Sequence, residues 1–155
     1  MPLALATTAG HRPVPWRNGA GTTVELASDP PGGLSAGMPF LWRLSLAEVG
    51  RDGPFSLFPG VDRTIMLAAG GGMALELEPP GGAPPSTLSL DVPFAQASFP
   101  GDWPAACRLR DGPVRAFNLM VDRARASAAL HVLRGRGRFL AAAPGGAVLV
   151  HVLAG

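Results

Sequence analysis

The chain has no lysine, no tyrosine, one cysteine and three histidines in 155 residues. Each scarcity removes a class of chemistry. A lone Cys107 excludes an intrachain disulfide and suits a reducing compartment. A metal site on a β scaffold needs several imidazoles and a carboxylate converging on one ion, and His11, His131 and His151 stand apart with no close pair. No metal and no cofactor are therefore expected. Charged residues make up 15% of the chain and the net charge is +2, too little to indicate a nucleic-acid partner. No apolar run is long enough to span a bilayer, and the start Met1-Pro2-Leu3-Ala4-Leu5 lacks the basic residues that open a secretory signal. These features read as a cytoplasmic protein with no membrane partner. There is no Gly-x-Ser-x-Gly elbow. The glycine runs Gly70-Gly71-Gly72 and Gly135-Arg136-Gly137-Arg138 lack the lysine and the helix of a phosphate loop and read as turns.

What is present is turn-forming and apolar. Glycines number 21, prolines 17, and hydrophobic residues make up 47% of the chain, which points to one globular all-β domain built from many short strands. In Leu41-Trp42-Arg43-Leu44-Ser45-Leu46, residues Trp42, Leu44 and Leu46 share one face and Arg43 and Ser45 the other, the pattern of a half-buried strand. Phe55 to Phe58 reads as a short strand stopped by Pro59-Gly60. Arg63 to Ala69 and Met73 to Glu78 read as a hairpin about Gly70-Gly71-Gly72. Further strands are expected at Thr87–Leu90, Ala95–Phe99, Cys107–Arg110 and Val114–Val121. Arg123 to Leu130 has the propensity of a short helix, and the two His-Val-Leu triplets at 131–133 and 151–153 read as similar strands.

All 13 basic residues are arginine, whose planar fork suits two-pronged anion recognition. Arg43, Arg63 and Arg115 lie on strands. Asn18 and Asn118 can donate and accept, as recognition of an amide or formyl group requires. Each has a plainer reading beside the functional one: Asp62 and Arg63 as a local ion pair, Asn18 as a turn residue, Asn118 as a strand-edge hydrogen bond, Cys107 as an inert strand thiol.

Five segments in order carry a family resemblance. They are Trp16-Arg17-Asn18-Gly19-Ala20-Gly21-Thr22 with Glu25, Trp42-Arg43-Leu44-Ser45, Phe58-Pro59-Gly60-Val61-Asp62-Arg63, Phe99-Pro100-Gly101-Asp102, and Arg115-Ala116-Phe117-Asn118. Over residues 12 to 123 the chain resembles the HutD/Ves family of small cupin-like proteins associated with histidine utilisation. The resemblance implies an all-β, cupin-like β-barrel of jelly-roll type within a single domain, 1–155. Residues 124–155 would form part of a second, smaller and incomplete half. Ala20 and Ala116 stand where family members carry Gly and Asp. The implied role is a non-catalytic, metal-free module that binds a small carboxylate, with a formylated amino-acid intermediate as one candidate. Its ligand-binding residues would be Trp16, Asn18, Glu25, Arg43, Asp62, Arg63, Arg115, Phe117 and Asn118. Arg63 and Arg115 would hold the acid, and Trp16, Trp42 and Phe117 would wall the cup. The alternatives are an isomerase or hydrolase with Glu25 or Asp62 as general base, and a protein-interaction module. A homodimer is left open.

Overall fold

The computed structural model describes residues 11–32, 39–135 and 145–153. The short apolar runs become ten strands: β1 (Val14–Pro15), β2 (Gly21–Asp29), β3 (Trp42–Val49), β4 (Gly53–Pro54), β5 (Val61–Gly70), β6 (Met73–Leu77), β7 (Ser86–Leu90), β8 (Gln96–Pro100), β9 (Ala105–Leu109) and β10 (Val114–Asp122). No helix occurs among the described residues, so none there is long and apolar enough to cross a membrane. The strands form a six-stranded sheet, β1-β2-β3-β10-β5-β8, and a four-stranded sheet, β4-β9-β6-β7. Every pairing is antiparallel.

Both sheets contribute to one apolar core. Ile65, Leu67, Ala97 and Phe99 from the larger sheet meet Met73, Leu75, Leu77, Leu90 and Cys107 from the smaller. The two sheets face each other without backbone pairing that would close them into a continuous barrel among the described residues, so the all-β, cupin-like architecture is that of an open-sided cup. Leu75 lies at the centre with 0% exposure. Leu75→Ala should cost about 2–5 kcal/mol, measurable as a lowered urea midpoint, because the packed site cannot collapse fully around the lost atoms.

The alternation of β3 is realised, but its polar face is not a solvent face. Arg43 and Ser45 are buried, at 4% and 2% exposure, and look into the cup. The apolar face looks the other way. There Leu44, Met66, Phe117, Leu119 and Val121 form a second cluster, with Leu26, Trp42, Leu46, Leu130 and Val132 packed on it. The His151 ring stacks on Phe117 with centroids 5.7 Å apart.

Several local expectations are corrected. β5 and β6 are not a hairpin, because β5 pairs with β10 and β8 while β6 pairs with β7 and β9. Gly70 and Gly72, at φ 106° and 101°, instead turn the chain from one sheet to the other. A Cβ on Gly71 would lie 2.3 Å from the Asp111 carbonyl oxygen, so the crossing is closed to larger residues. Phe55 to Phe58 is irregular, with only Gly53–Pro54 pairing as β4. Arg123 to Leu130 forms no helix. Asp122 ends β10 in a turn in which its carbonyl accepts from the N–H groups of Arg125 and Ala126, and its carboxylate accepts from the Ala124 N–H. Neither His-Val-Leu triplet is a strand. Most of the turn expected at Arg134 to Arg138 lies outside the described residues.

Candidate functional site: a cup with a buried arginine

Strand register builds the site. Residues directly opposite one another on neighbouring strands share a face. Met120 on β10 stands opposite Arg43 on β3 and Arg63 on β5, and Asn118 stands opposite Ser45 and Ile65. The next row inward is Ala47, Ala116 and Leu67. The two alanines leave space that larger residues would fill. The result is a cavity of about 470 Å³ lined by inward side chains of these strands, among them Arg43, Ser45, Arg63 and Asn118, and by the adjoining segments Trp16–Asn18 and Pro54–Ser56. That volume is in the range of small-molecule sites.

Arg63 is the unusual group. It is 6% exposed and lines the cavity. Its guanidinium donates to Asn118 Oδ1 at 3.2 Å and to the Ser56 carbonyl at 3.4 Å. The rings of Phe55, Phe58 and Phe99 surround it with centroids 5.4, 5.4 and 5.2 Å from its central carbon. No acceptor meets its Nε, and among the described residues no carboxylate pairs with it. Burial, reinforced by the positive Arg43 nearby, pushes its pKa down to about 10. Ring faces attract a cation but do not satisfy its N–H groups. A buried arginine without an acid partner is costly and rare.

Arg43 also has a buried Nε without a hydrogen bond, but it differs from Arg63 in having an acid beside it. Its Nε lies 3.5 Å from Glu25 Oε2. Burial lowers its pKa and Glu25 opposes that shift. Regular alternation from Thr23 puts Glu25 on the same face of β2 as the cup, and a β-bulge follows it. Glu25 opposes Ser45 and Ala27 opposes Leu44, so Leu26 is the extra residue. The bulge turns Ser28 to the same side as Glu25, although residues three apart in a regular strand face opposite ways. Ser28 Oγ then donates to Glu25 Oε1 at 2.8 Å.

The rim is held by hydrogen bonds. Asn18 Oδ1 accepts from the Ala20 N–H at 3.0 Å, an Asx-type turn, and its Nδ2 donates to the Pro54 carbonyl at 3.2 Å. This ties the N-terminal loop to β4. Trp16 donates from Nε1 to Thr23 Oγ1 at 2.7 Å and meets Phe55 edge-on. On the opposite lip Arg123 donates to Asp62 and Asp102 and to the Val61 carbonyl, while Asp102 accepts from the Gly60 N–H.

The nine candidates therefore separate. Trp16, Asn18, Arg43, Arg63 and Asn118 line the cup, and Glu25 braces Arg43 behind it. Arg115 does not converge with Arg63. It stands on the outer face of β10 beside Glu48, with Nε 3.8 Å from Oε1, because odd-numbered β10 positions face away from the cup. Phe117 is on that outer face for the same reason, and Trp42 with it. Asp62 pairs with Arg123 and not with Arg63, since adjacent strand residues point to opposite sides. Sequence reading missed Phe55, Phe58 and Phe99 as a cage, Ser45 and Met120 as lining, and Arg123 as the clasp. The period-2 alternation of β10 carried the signal for Met120 once Asn118 was placed inward.

The donor set does not fit a divalent metal ion. Two guanidiniums with neutral amide and hydroxyl groups would repel it. Among the described residues no group of three or more His, Cys, Asp or Glu converges. Cys107 is fully buried against Met73, Sγ to Sδ 3.7 Å, and burial pushes its thiol up to about 11, so it has little thiolate character.

The HutD family model matches residues 8–155. A protein from the region 3′ of hutC in Pseudomonas putida is 35% identical over 91% of this chain and 70% of its own length. Protein Ves of Cronobacter sakazakii is 39% identical over 76% of this chain and 59% of its own. HutD from Pseudomonas fluorescens SBW25, solved in a formate condition, superposes with a TM-score of 0.60 at 37% identity, covering 74% of this chain and 57% of that one. Hydroxypropylphosphonic acid epoxidase from S. wedmorenis shares the fold, with a TM-score of 0.54 at 11% identity, covering 76% of this chain and 58% of that one. This chain thus spans between about half and two thirds of most of these proteins. It belongs to the HutD family, a family associated with histidine utilisation.

Proposed function

We propose that the cup binds a small carboxylate and that the protein is a metal-free, non-catalytic binding module serving histidine utilisation. The observation that carries this reading is Arg63, a buried cation on an open cavity with an unsatisfied Nε and no acid of its own. A carboxylate would supply the missing charge and acceptor in one group. Asn118 orients the guanidinium through its Oδ1 and has no engaged amide N–H among the described residues, so it can donate to the same ligand.

Calorimetric titration with formate, urocanate, glutamate and formylglutamate tests the reading. Saturable heat with at least one of them is expected, and no heat with folded protein would count against it. The pH profile is a second test. Arg63 must be charged to hold an anion, and its depressed pKa of about 10 sets the upper limit. Affinity should stay level through neutral pH and fall about tenfold per unit above pH 10, where the free protein loses the proton. An affinity unchanged at pH 11 would point to another anchor.

A further inference from the structure

We infer that Glu25 is the specificity-determining residue of the cup and restricts it to ligands with a single carboxylate. The inference rests on the carboxylate-binding reading and narrows it. The cup contains two buried guanidiniums, and Glu25 already neutralises Arg43 from behind. That leaves one uncompensated positive charge, on Arg63. Arg17 also borders the cavity but is exposed, where water screens it. The remaining polar lining, including Ser45, Ser56 and Asn118, is neutral. One anionic group brings the interior to neutrality. A second would be buried with no cation to meet it, and an unpaired buried charge is strongly disfavoured.

Glu25 is fixed in this role. The bulge in β2 brings Ser28 onto the same side, and the buried Ser28 hydroxyl donates to its Oε1 while also reaching the Pro30 carbonyl. That hydroxyl has one proton, so the two contacts share it, and the other carboxylate oxygen, Oε2, faces Arg43.

The test compares propionate, succinate and monomethyl succinate by calorimetry. Monomethyl succinate keeps the length of succinate and removes one charge. Wild-type protein should bind propionate and monomethyl succinate at least tenfold more tightly than succinate. Glu25→Gln leaves Arg43 uncompensated and should shift the preference at least tenfold toward succinate. Glu25→Gln with Arg43→Gln removes the pair together, keeps one net charge and should restore the wild-type order. Succinate binding to wild type as tightly as its monomethyl ester would overturn the inference while leaving the carboxylate cup intact, as would an unchanged ratio in folded Glu25→Gln. Should none of the three acids bind, the cup reading falls and this inference with it. The wild-type comparison decides the matter even if the variants fail to fold.

Discussion

Arg63→Met should abolish carboxylate binding and leave the protein as stable as before, or more so. The usual expectation for a residue at 6% exposure is that its replacement destabilises. Here the replaced group is a desolvated cation with an unmet N–H, and methionine fills similar space with no charge to desolvate. Exchanging buried charged groups for apolar ones of similar volume is often neutral or stabilising. Binding should fall by about 2–5 kcal/mol, thirtyfold or more, because the ligand carboxylate would lose the one buried cation that no acid already neutralises. Denaturation and calorimetry on the same sample separate the two effects. If Arg63 were instead a structural plug held by its three phenylalanines, the substitution would lower stability by the loss of those cation–ring contacts. Arg115→Met, on the outer face, should leave affinity unchanged.

Gly101→Ala should be strongly damaging, a single-methyl change at the rim with a large cost. A Cβ there would lie 2.6 Å from the Phe58 carbonyl oxygen and 2.9 Å from that of Val61, both rigid backbone atoms. The same glycine donates to the Val61 carbonyl and accepts from the Phe58 N–H, at 2.7 and 2.8 Å. Overpacking and the loss of one such bond together should cost about 2–4 kcal/mol. Because these contacts seat Phe58 against Arg63, carboxylate affinity should fall as well. Gly112→Ala is the control. Its Cβ would meet nothing, and only its φ of 70° opposes a side chain, at about 1 kcal/mol. Urea midpoints for the two variants would show whether the rim is as tightly built as its hydrogen bonds imply.

Much of the fold was legible in the sequence because it depends on local chemistry. Gly-Pro turns and period-2 runs located β3, β7, β8, β9 and β10 to within a few residues. The hairpin expected at Gly70-Gly71-Gly72 was not legible, because a tight glycine turn looks alike whether it returns a strand to its own sheet or sends it to the facing one. The site was legible only in part. Arg63, Arg43 and Asn18 were named, but the pairing of Arg63 with Arg115 assumed that two arginines on adjacent paired strands share a face. Register decides that, and it places Arg115 opposite Ala69 and Glu48, and Arg63 opposite Met120. The polar side of β3 misled for a related reason. In most half-buried strands it would face water, and here it faces the cavity, which is why Arg43 and Ser45 are buried. Arg123 was invisible as a clasp because its partners Asp62 and Asp102 lie far away in sequence.

A crystal structure with propionate tests the central claim most directly. One carboxylate oxygen should lie about 2.7–2.9 Å from Arg63 Nε, the charge-assisted distance, with the Asn118 amide donating to the same group. An acid seated elsewhere, or an Arg63 Nε satisfied by protein alone with the cup holding only water, would contradict it.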